Sequence, residues 1–357
     1  MKRLLVNLSY YNPNESGLEV YAKNLLPYLK PLNPILLTAA SFADFECYPV
    51  SESLSSLYQW KGHMRRLLWT QVELPYIYNY LGASLLFSPV IEASILPPVR
   101  SVITIHDSIP LRFGKPLKFS PSYHKFVLPL VAKRAIHIFC NSHSTAQDAV
   151  KFYGVKKSKI TVTHLGFDHE HFRPTPKESD RKYFLYLGRP DINKNLFRVI
   201  DAFCMIDGEE TAELWLVGKK DSVYYPPLQE YANSKPQASR ICFLDYVPYQ
   251  ELPKIISGAI GLVFPSLWEG FGLPVLEAMA CGTPVITSKL SSLPEIVGEA
   301  ALLVDPYQTE EIAQAMMQLL QNASLASSLS QKGLIQAQQF RWEFTGKTTF
   351  NKLKDLL

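Results

Sequence analysis

Cysteine is scarce in this sequence, and the few cysteines follow no pattern. The 357 residues include five, an odd number with no CxxC spacing: Cys47, Cys140, Cys204, Cys242 and Cys281. Such scatter argues against a disulfide framework and against a cysteine-ligated zinc site, and it favours reduced thiols in the cytoplasm. The sequence also lacks an H-E-x-x-H motif, a His/Cys cluster and a D-x-D after a predicted strand. We therefore predict no metal ligands.

Long apolar runs are missing as well. No stretch approaches the run of about 18 apolar residues that would predict a membrane span. The start of the chain, MKRLLVNLSYYNPNES, meets Asn, Tyr and Pro too early for a signal peptide, so a first β-strand is the better interpretation. These features predict a cytoplasmic protein.

Charge is distributed unevenly along the chain. Residues 1–180 contain 20 Lys and Arg against 13 Asp and Glu, a net charge of +7, whereas residues 181–357 contain 16 against 19, a net charge of −3. A basic first half suits peripheral contact with the inner face of an anionic membrane, or an anionic acceptor. A generic solvated surface is the alternative. We predict no nucleic-acid partner.

Residues 41–80 look irregular, aromatic and serine-rich, and they contain one basic cluster. This cluster is Lys61–Trp69, KGHMRRLLW. One interpretation is a segment that faces an acceptor or a membrane. The other is a helix that packs Leu67–Trp69 inward and leaves Arg65 and Arg66 in water.

The length and the order of elements predict two α/β domains. A chain of 357 residues is long enough for about two domains. Strands and helices alternate in both halves, which is typical of doubly wound parallel sheets. The polar stretch Arg173–Arg181, with two prolines, has the composition of a linker. We predict a first domain at 1–175, a second at 176–340, and a C-terminal helix at 341–357.

One stretch of the second half, Glu269–Val285, concentrates groups that bind ligands. It reads EGFGLPVLEAMACGTPV, follows the short apolar strand Gly261–Ser266, and contains a predicted helix, Pro274–Ala280. A glycine-containing loop before a helix exposes backbone N–H groups that bind phosphates or sugar hydroxyls. Glu269 on the loop and Glu277 in the predicted first turn would repel a bare phosphate but can grip hydroxyls. The combination suits a nucleotide sugar.

Two cations follow the first predicted strand of the second domain. The strand Lys182–Gly188 leads into GRPDINKN, which places Arg189 and Lys194 just before a predicted helix, Leu196–Phe203. Arginine can bind a phosphate through two hydrogen bonds, and lysine acts as a point charge. The pair therefore suits a diphosphate, with one residue near each phosphate.

The first half offers two further candidates at one edge of its predicted sheet. The strand Ser101–His106 ends at His106, which Asp107 follows, and Gly17 lies in the loop after the first strand, Lys2–Ser9. Open α/β sheets bind ligands at the carboxyl ends of their strands, so both positions border the expected crevice.

These motifs together resemble a known family. PSLWEGFGLPVLEAMACGTPVI resembles the E-x7-E signature of retaining glycosyltransferases of family 4, and GRPDINKN resembles their G-R-x-x-x-x-K-N motif. His106-Asp107 resembles the family's HD motif. The resemblance covers nearly the whole chain and is strongest over 182–305. It departs at Gly17, where the family often has two or more glycines, and at His164, where it often has asparagine.

The resemblance implies the fold and the roles of the candidates. The fold would be GT-B, with an acceptor domain first and a donor domain second, both Rossmann-like and facing a central cleft, and a C-terminal helix crossing back to the first. Glu269 would hold the donor sugar, Glu277 the ribose and His106 the sugar from the opposite domain. The diphosphate and the remaining donor contacts would fall to Arg189, Lys194, Gly17, Val247, Gly270, Phe271, Gly272 and Leu273. No cofactor is implied, because the nucleotide sugar is a substrate, and GT-B enzymes generally work without a metal.

The implied reaction moves a hexose, with retention, to a hydroxyl of a glycan or lipid-linked acceptor in cell-surface polysaccharide synthesis. Stretches such as HDSIPL and LPEIVGEAALLVDP are more like mannosyltransferases, which favours GDP-mannose as donor. Retention could proceed through a carboxylate nucleophile or by front-side attack, and the sequence leaves both open. A nucleotide-sugar epimerase or another non-transferase on this fold, and an inactive nucleotide-binding protein, are the alternative functions.

Overall fold

The structure is a computed structural model that describes residues 2–12, 17–113, 126–176, 181–206, 212–220, 223–245 and 247–357. The chain divides into two compact units. The first consists of Met1–Gly166 and Arg341–Leu357, and the second of Phe167–Phe340.

The boundary between the units lies before the proline-containing stretch that we predicted as the linker. Residues after Gly166 bond to the second unit rather than to the first. The N–H of Thr175 donates to Ser257 Oγ at 3.1 Å, and the Thr175 hydroxyl donates to the Pro253 carbonyl at 3.3 Å. In this chain, a linker-like composition therefore does not mark the boundary between the units, because residues of this stretch form hydrogen bonds within the second unit.

The first unit contains a seven-stranded parallel sheet in the order β3-β2-β1-β4-β5-β6-β7. Its central strands are buried on both faces and therefore read as continuous apolar runs. The strand order reverses between β1 and β4, which is where doubly wound sheets bind ligands. The strands are β1 Leu4–Asn7, β2 Ile35–Thr38, β3 Glu46–Pro49, β4 Leu85–Ser88, β5 Ser101–Ile105, β6 His137–Cys140 and β7 Ile160–Val162. The helices before the boundary are α1 Gly17–Leu29, α2 Gln59–Tyr80, α3 Ile109–Phe113, α4 Leu128–Arg134 and α5 His143–Tyr153.

The second unit contains a six-stranded parallel sheet in the order β10-β9-β8-β11-β12-β13. Its strand order reverses between β8 and β11, so the loops after these two neighbours share one edge. The strands are β8 Lys182–Leu187, β9 Ala212–Val217, β10 Ile241–Leu244, β11 Gly261–Phe264, β12 Val285–Ser288 and β13 Leu302–Val304. The helices are α6 Leu196–Cys204, α7 Tyr225–Asn233, α8 Leu252–Gly258, α9 Leu273–Ala280, α10 Leu293–Val297, α11 Thr309–Gln321 and α12 Ala323–Ala337.

Helix α2 overturns the expectation that residues 41–80 are irregular. It runs for 22 residues and includes Pro75. It also overturns the predicted packing of the basic cluster, because Arg66 is 7% exposed whereas Leu68 is 66% exposed. The cause is helical periodicity, which places Arg66 on the same face as buried Trp69 and turns Leu68 to the opposite face. Among the described residues, no helix has both the length and the apolar character that a membrane crossing requires.

The last helix, α13 (Trp342–Leu356), belongs to the first unit. Two glycines allow its close packing there. A Cβ atom on Gly346 would lie 2.2 Å from the ring of Tyr28, and one on Gly166 would lie 2.2 Å from the backbone nitrogen of Trp342. Thr345 also donates its hydroxyl to the His164 carbonyl. These three contacts fix the chain where it returns to this unit.

Candidate active site

Two predicted site residues meet at the edge of the second unit's sheet. Lys194 follows β8 and Glu269 follows β11, and the Lys194 Nζ atom lies 2.6 Å from Glu269 Oε1. Both side chains are largely buried, with 16% and 9% of their surface exposed. The contact arises because β8 and β11 are neighbouring parallel strands, so the loops that follow them end up side by side.

Two asparagines lock these loops together. Asn193 donates from Nδ2 to the Trp268 carbonyl at 3.0 Å, and Asn195 donates from Nδ2 to the Pro265 carbonyl at 3.2 Å. Asn195 also has φ 64°, a left-handed conformation that asparagine tolerates better than most residues. Our sequence reasoning gave these asparagines no role. The signal was present, because an asparagine directly before a helix is typical of a cap or a left-handed turn.

Arg189 takes a different position from Lys194. Its guanidinium is 62% exposed and pairs with Asp191 through Nε at 3.1 Å and Nη2 at 2.8 Å. The backbone beside it is crowded: a Cβ atom on Gly218 would lie 2.1 Å from the Gly188 carbonyl oxygen. Gly218 thus lets the ends of β8 and β9 approach closely, a requirement that sequence reasoning also missed.

Two serines that follow β12 form hydrogen bonds with the loop from Glu269 to Leu273. The N–H of Glu269 donates to Ser291 Oγ at 3.1 Å, and Ser292 Oγ donates to the Phe271 carbonyl at 2.6 Å. At its end, Gly272 has φ 120°, and a Cβ atom there would lie 2.8 Å from the Leu293 side chain. Gly270, Phe271 and Gly272 are all buried. The loop is therefore preorganised, and Ser291 and Ser292 are positioning residues that the sequence did not single out.

Glu277 lies further along α9 than predicted. The helix begins at Leu273 and has no acidic residue in its first turn, so Glu277 starts the second turn. The sequence prediction was wrong because it began the helix at Pro274, one residue later than the structure does, and this placed Glu277 in the first turn. Part of the Glu277 surface reaches solvent, yet the carboxyl is closely surrounded by protein, and this burial raises its pKa to about 7.

Val247 lies in the loop between β10 and α8 and is half-buried. β10 is separated from β8 by β9, so Val247 shares the sheet edge with Lys194 at a distance of two strands. The residue before it lies outside the described part of the chain.

His106 belongs to the first unit and follows β5 directly. Its Nε2 lies 2.8 Å from the Pro89 carbonyl, which can only accept, so Nε2 carries the proton in this contact. The ring of Tyr21 packs edge-on against it at 4.8 Å. Burial lowers the His106 pKa to about 4, so the imidazole is neutral at pH 7 with Nδ1 as a hydrogen-bond acceptor.

Gly17 is the first residue of α1 and is exposed. Among the described residues, no atom lies within 4 Å of a Cβ placed on it, so crowding does not explain a glycine here. The loop before it, 13–16, lies outside the described residues.

Two family models match this chain in succession. The model described as Glycosyltransferase Family 4 matches residues 16–171, and the one described as Glycosyl transferases group 1 matches residues 167–335. Together they span most of both units.

Curated relatives and solved structures agree with these matches. O-antigen chain mannosyltransferase B of Escherichia coli is 29% identical over 278 residues, which is 71% of this chain and 70% of the relative. O-antigen chain mannosyltransferase RfbU of Salmonella typhimurium is 26% identical over 328 residues, 85% of this chain and 87% of the relative. The sucrose-phosphate synthase structure from Thermosynechococcus elongatus superposes with a TM-score of 0.79 at 18% identity, covering 100% of this chain and 99% of that one. The chain belongs to glycosyltransferase family 4, has the GT-B fold, and is a glycosyltransferase.

Proposed function

We propose that this enzyme transfers a mannose from GDP-mannose, with retention, to a hydroxyl of a glycan or lipid-linked acceptor during cell-surface polysaccharide synthesis. The observation that carries the proposal is the buried contact between Lys194 and Glu269. A buried ion pair is rarely worth its desolvation cost for stability alone. Its place at the reversal of strand order suits a ligand that has both phosphates and hydroxyls. The relatives named as O-antigen chain mannosyltransferases support mannose as the hexose.

The proposed roles of the two cations follow from the number of hydrogen bonds that each can donate. An ammonium group has three donors, so Lys194 can hold Glu269 and still donate to a phosphate. Arg189, exposed on the loop, would supply the second positive charge. These two cations and the start of α9 would neutralise the leaving diphosphate, so we propose that the reaction needs no metal.

The two carboxylates would bind different hydroxyls of the donor. Glu269, fixed by Lys194, would accept from hydroxyls of the sugar, with the backbone of Gly270–Leu273 beside it. Glu277, with a pKa of about 7 caused by burial, would exchange hydrogen bonds with the ribose. His106 would accept a sugar hydroxyl at Nδ1. Val247 and Gly17 would contribute backbone contacts to the donor.

Front-side displacement is the mechanism that this arrangement favours. Glu269 is bound to Lys194, which suits a group that positions the sugar better than one that attacks it. In the proposed step, the bond from the anomeric carbon to the diphosphate oxygen breaks. The acceptor oxygen bonds to the same face of that carbon, and the acceptor proton passes to the leaving phosphate.

Peripheral membrane contact is a further part of the proposal, through the exposed face of α2. Leu68, Val72, Tyr76 and Tyr80 recur every four residues and are 66–70% exposed, and exposed Arg65 lies one turn before them. Apolar and tyrosine side chains beside a cation suit an anionic bilayer surface. We expect Val72→Glu to reduce co-sedimentation with phosphatidylglycerol vesicles, and Val150→Glu, at an exposed valine of α5, to leave it unchanged. Equal sedimentation of both variants would contradict the membrane contact.

The main experiment measures donor turnover in EDTA. GDP-mannose, UDP-glucose, UDP-galactose and UDP-GlcNAc are each incubated with the enzyme, and the released nucleoside diphosphate is detected. Release of GDP from GDP-mannose, at a rate unaffected by EDTA, is the expected result. Turnover of a UDP-sugar instead would overturn the donor assignment, and activity that returns only with Mg²⁺ would overturn metal independence.

A further inference from the structure

Two histidines of the first unit lie side by side although they are distant in the sequence. His143 is the first residue of α5, and His164 follows β7. Their ring centroids are 5.8 Å apart and their ring planes meet at 72°, an edge-on arrangement. The sequence alone predicted no metal ligands, because these histidines share no local spacing. The proposed transfer reaction assigns no role to either side chain.

The connection between two strands explains why the histidines meet. α5 joins β6 to β7, which are neighbouring parallel strands, so the helix runs antiparallel to both. The first turn of α5 therefore lies at the carboxyl end of β7, where the chain continues to His164. Ser142 fixes the start of the helix, because its Oγ accepts from the Thr145 N–H at 3.0 Å. The fold thus holds both histidines at the same edge of the sheet.

The spacing of the ring nitrogens suits a shared metal ion. One nitrogen of His143 and one of His164 lie within 4.8 Å of each other. Zinc binds imidazole at about 2.0–2.1 Å, so two nitrogens on one tetrahedral ion are about 3.4 Å apart. A small rotation of a ring covers the difference. His143 is exposed, so its side chain can turn without displacing the core.

The histidines line a cavity of about 610 Å³ on the face that α5 and β7 share. Its apolar wall comes from the helix and the strand together: Ala146, Val150, Ile160 and Val162. Lys157 also lines the cavity, but it precedes β7 whereas His164 follows it, so the strand separates this cation from the histidines. A metal held by two imidazoles keeps other coordination positions for water, and the cavity has room for that water.

An edge-on contact between the two rings is the alternative explanation. Such ring pairs contribute to stability without any metal. They predict a contribution that does not change when metal is added. The two explanations therefore differ in a quantity that can be measured.

We propose that His143 and His164 form a binding site for a divalent transition-metal ion of the zinc, nickel or copper type, and that the bound ion joins α5 to the chain after β7. Imidazole nitrogen favours these ions over magnesium and calcium. β7 is a three-residue strand at the edge of its sheet and is half-buried throughout, so a link to α5 would stabilise it. The inference is independent of the proposed transfer, which needs no metal.

The test is calorimetric titration of the full chain, without an affinity tag, after treatment with EDTA and its removal. NiCl₂, ZnCl₂ and MgCl₂ serve as probes. We expect one Ni²⁺ or Zn²⁺ to bind per chain, and no binding of Mg²⁺. An ion that binds only the folded chain also raises the midpoint of thermal unfolding. Absence of Ni²⁺ and Zn²⁺ binding, or equal binding of Mg²⁺, would overturn the proposal.

Variants locate the ion. His143→Gln and His164→Asn each remove one imidazole, and we expect each to weaken Ni²⁺ binding at least tenfold, because a single imidazole cannot chelate. His171→Gln, at a half-buried histidine of the second unit, is the matched control and should bind as the unmodified chain does. Far-UV circular dichroism checks that each variant folds. Unchanged Ni²⁺ binding in a folded His143→Gln or His164→Asn protein would exclude this site.

Electron paramagnetic resonance with Cu²⁺ separates the site from a ring contact. We expect the signal of two imidazole nitrogens in the unmodified chain and of one in either variant. If the rings merely contact each other, no such pair of nitrogens will be seen. Both variants will then lower the midpoint of thermal unfolding equally with and without metal, which would contradict the proposal.

Discussion

Each unit of this protein has a buried ion pair where its strand order reverses, and the two pairs differ in what they leave available. In the second unit, Lys194 contacts Glu269 and retains donors for a ligand. In the first, Arg66 donates to Glu92 from Nε and to the Leu54 carbonyl from Nη1. Lysine is a point charge that can be shared, whereas these contacts fix the orientation of the planar guanidinium. The same pairing of charges can therefore leave donors for a ligand in one unit and join two segments of the chain in the other.

The largest effect should come from removing the shared charge. Lys194→Gln keeps a hydrogen-bond donor for Glu269 but removes the positive charge that we propose to lie beside the leaving diphosphate. We expect kcat/KM to fall about 10²–10³-fold, the usual loss for one transition-state donor. Initial rates of nucleotide release measure this. Lys332→Gln, at an exposed lysine of α12, is the control, and a Lys194→Gln rate within twofold of it would contradict the assigned role.

The Arg66–Glu92 pair should affect folding more than catalysis. Arg66→Met removes the arginine from the buried Glu92 carboxylate and leaves His63 beside it, and we expect the change to lower the free energy of unfolding by about 3–5 kcal/mol. Replacing both residues, as Arg66→Met with Glu92→Leu, should cost less than this single change, because no unpaired charge remains. Urea denaturation of the single and double variants tests the comparison. A double variant as unstable as the two single changes combined would argue against a coupled pair.

Arg189 should be of intermediate importance. Its guanidinium is exposed and held by Asp191, so it lies in high dielectric and contributes less than Lys194. We expect Arg189→Gln to lower kcat/KM about tenfold, which corresponds to about 1.4 kcal/mol of transition-state stabilisation. A loss as large as that of Lys194→Gln, in the same nucleotide-release assay, would show that Arg189 leaves Asp191 and binds the diphosphate directly.

A further effect concerns the pH dependence of stability that arises from Glu277. Its folded pKa of about 7 lies above the ordinary value for glutamate, so the folded state binds the proton more tightly than the unfolded state does. This contribution to stability is complete below the ordinary pKa and is lost as pH rises towards 7. Glu277→Gln cannot lose a proton, so its stability relative to the unmodified protein should be greater at pH 8 than at pH 5. Urea unfolding at both values measures this, and a difference independent of pH would refute the raised pKa.

The contrast between the units also explains what could be predicted from the sequence. Glu269, Gly272 and Glu277 belong to one continuous stretch whose loop and helix signals are local, and Arg189 and Lys194 directly follow a readable strand. Arg66 and Glu92 are 26 residues apart, and only the packing of α2 brings them together. The helical interpretation of Lys61–Trp69 covered only part of that helix and gave it the wrong buried face. Apolar side chains lie on both faces, Leu74 and Ile77 inward and Leu68 and Tyr76 outward, which conceals the helical period.

Gly166 has a consequence for how this protein can be rebuilt. The chain leaves the first unit at Gly166 and re-enters it at Arg341, and a Cβ on Gly166 would lie 2.7 Å from the Arg341 backbone, so exit and re-entry are adjacent. The second unit is thus one continuous insertion in the sequence of the first. When the two ends of an inserted domain are adjacent, the domain can be exchanged without cutting through the core of the other unit. Replacing residues 167–340 with the matching unit of a related chain would test whether this unit alone determines the proposed donor.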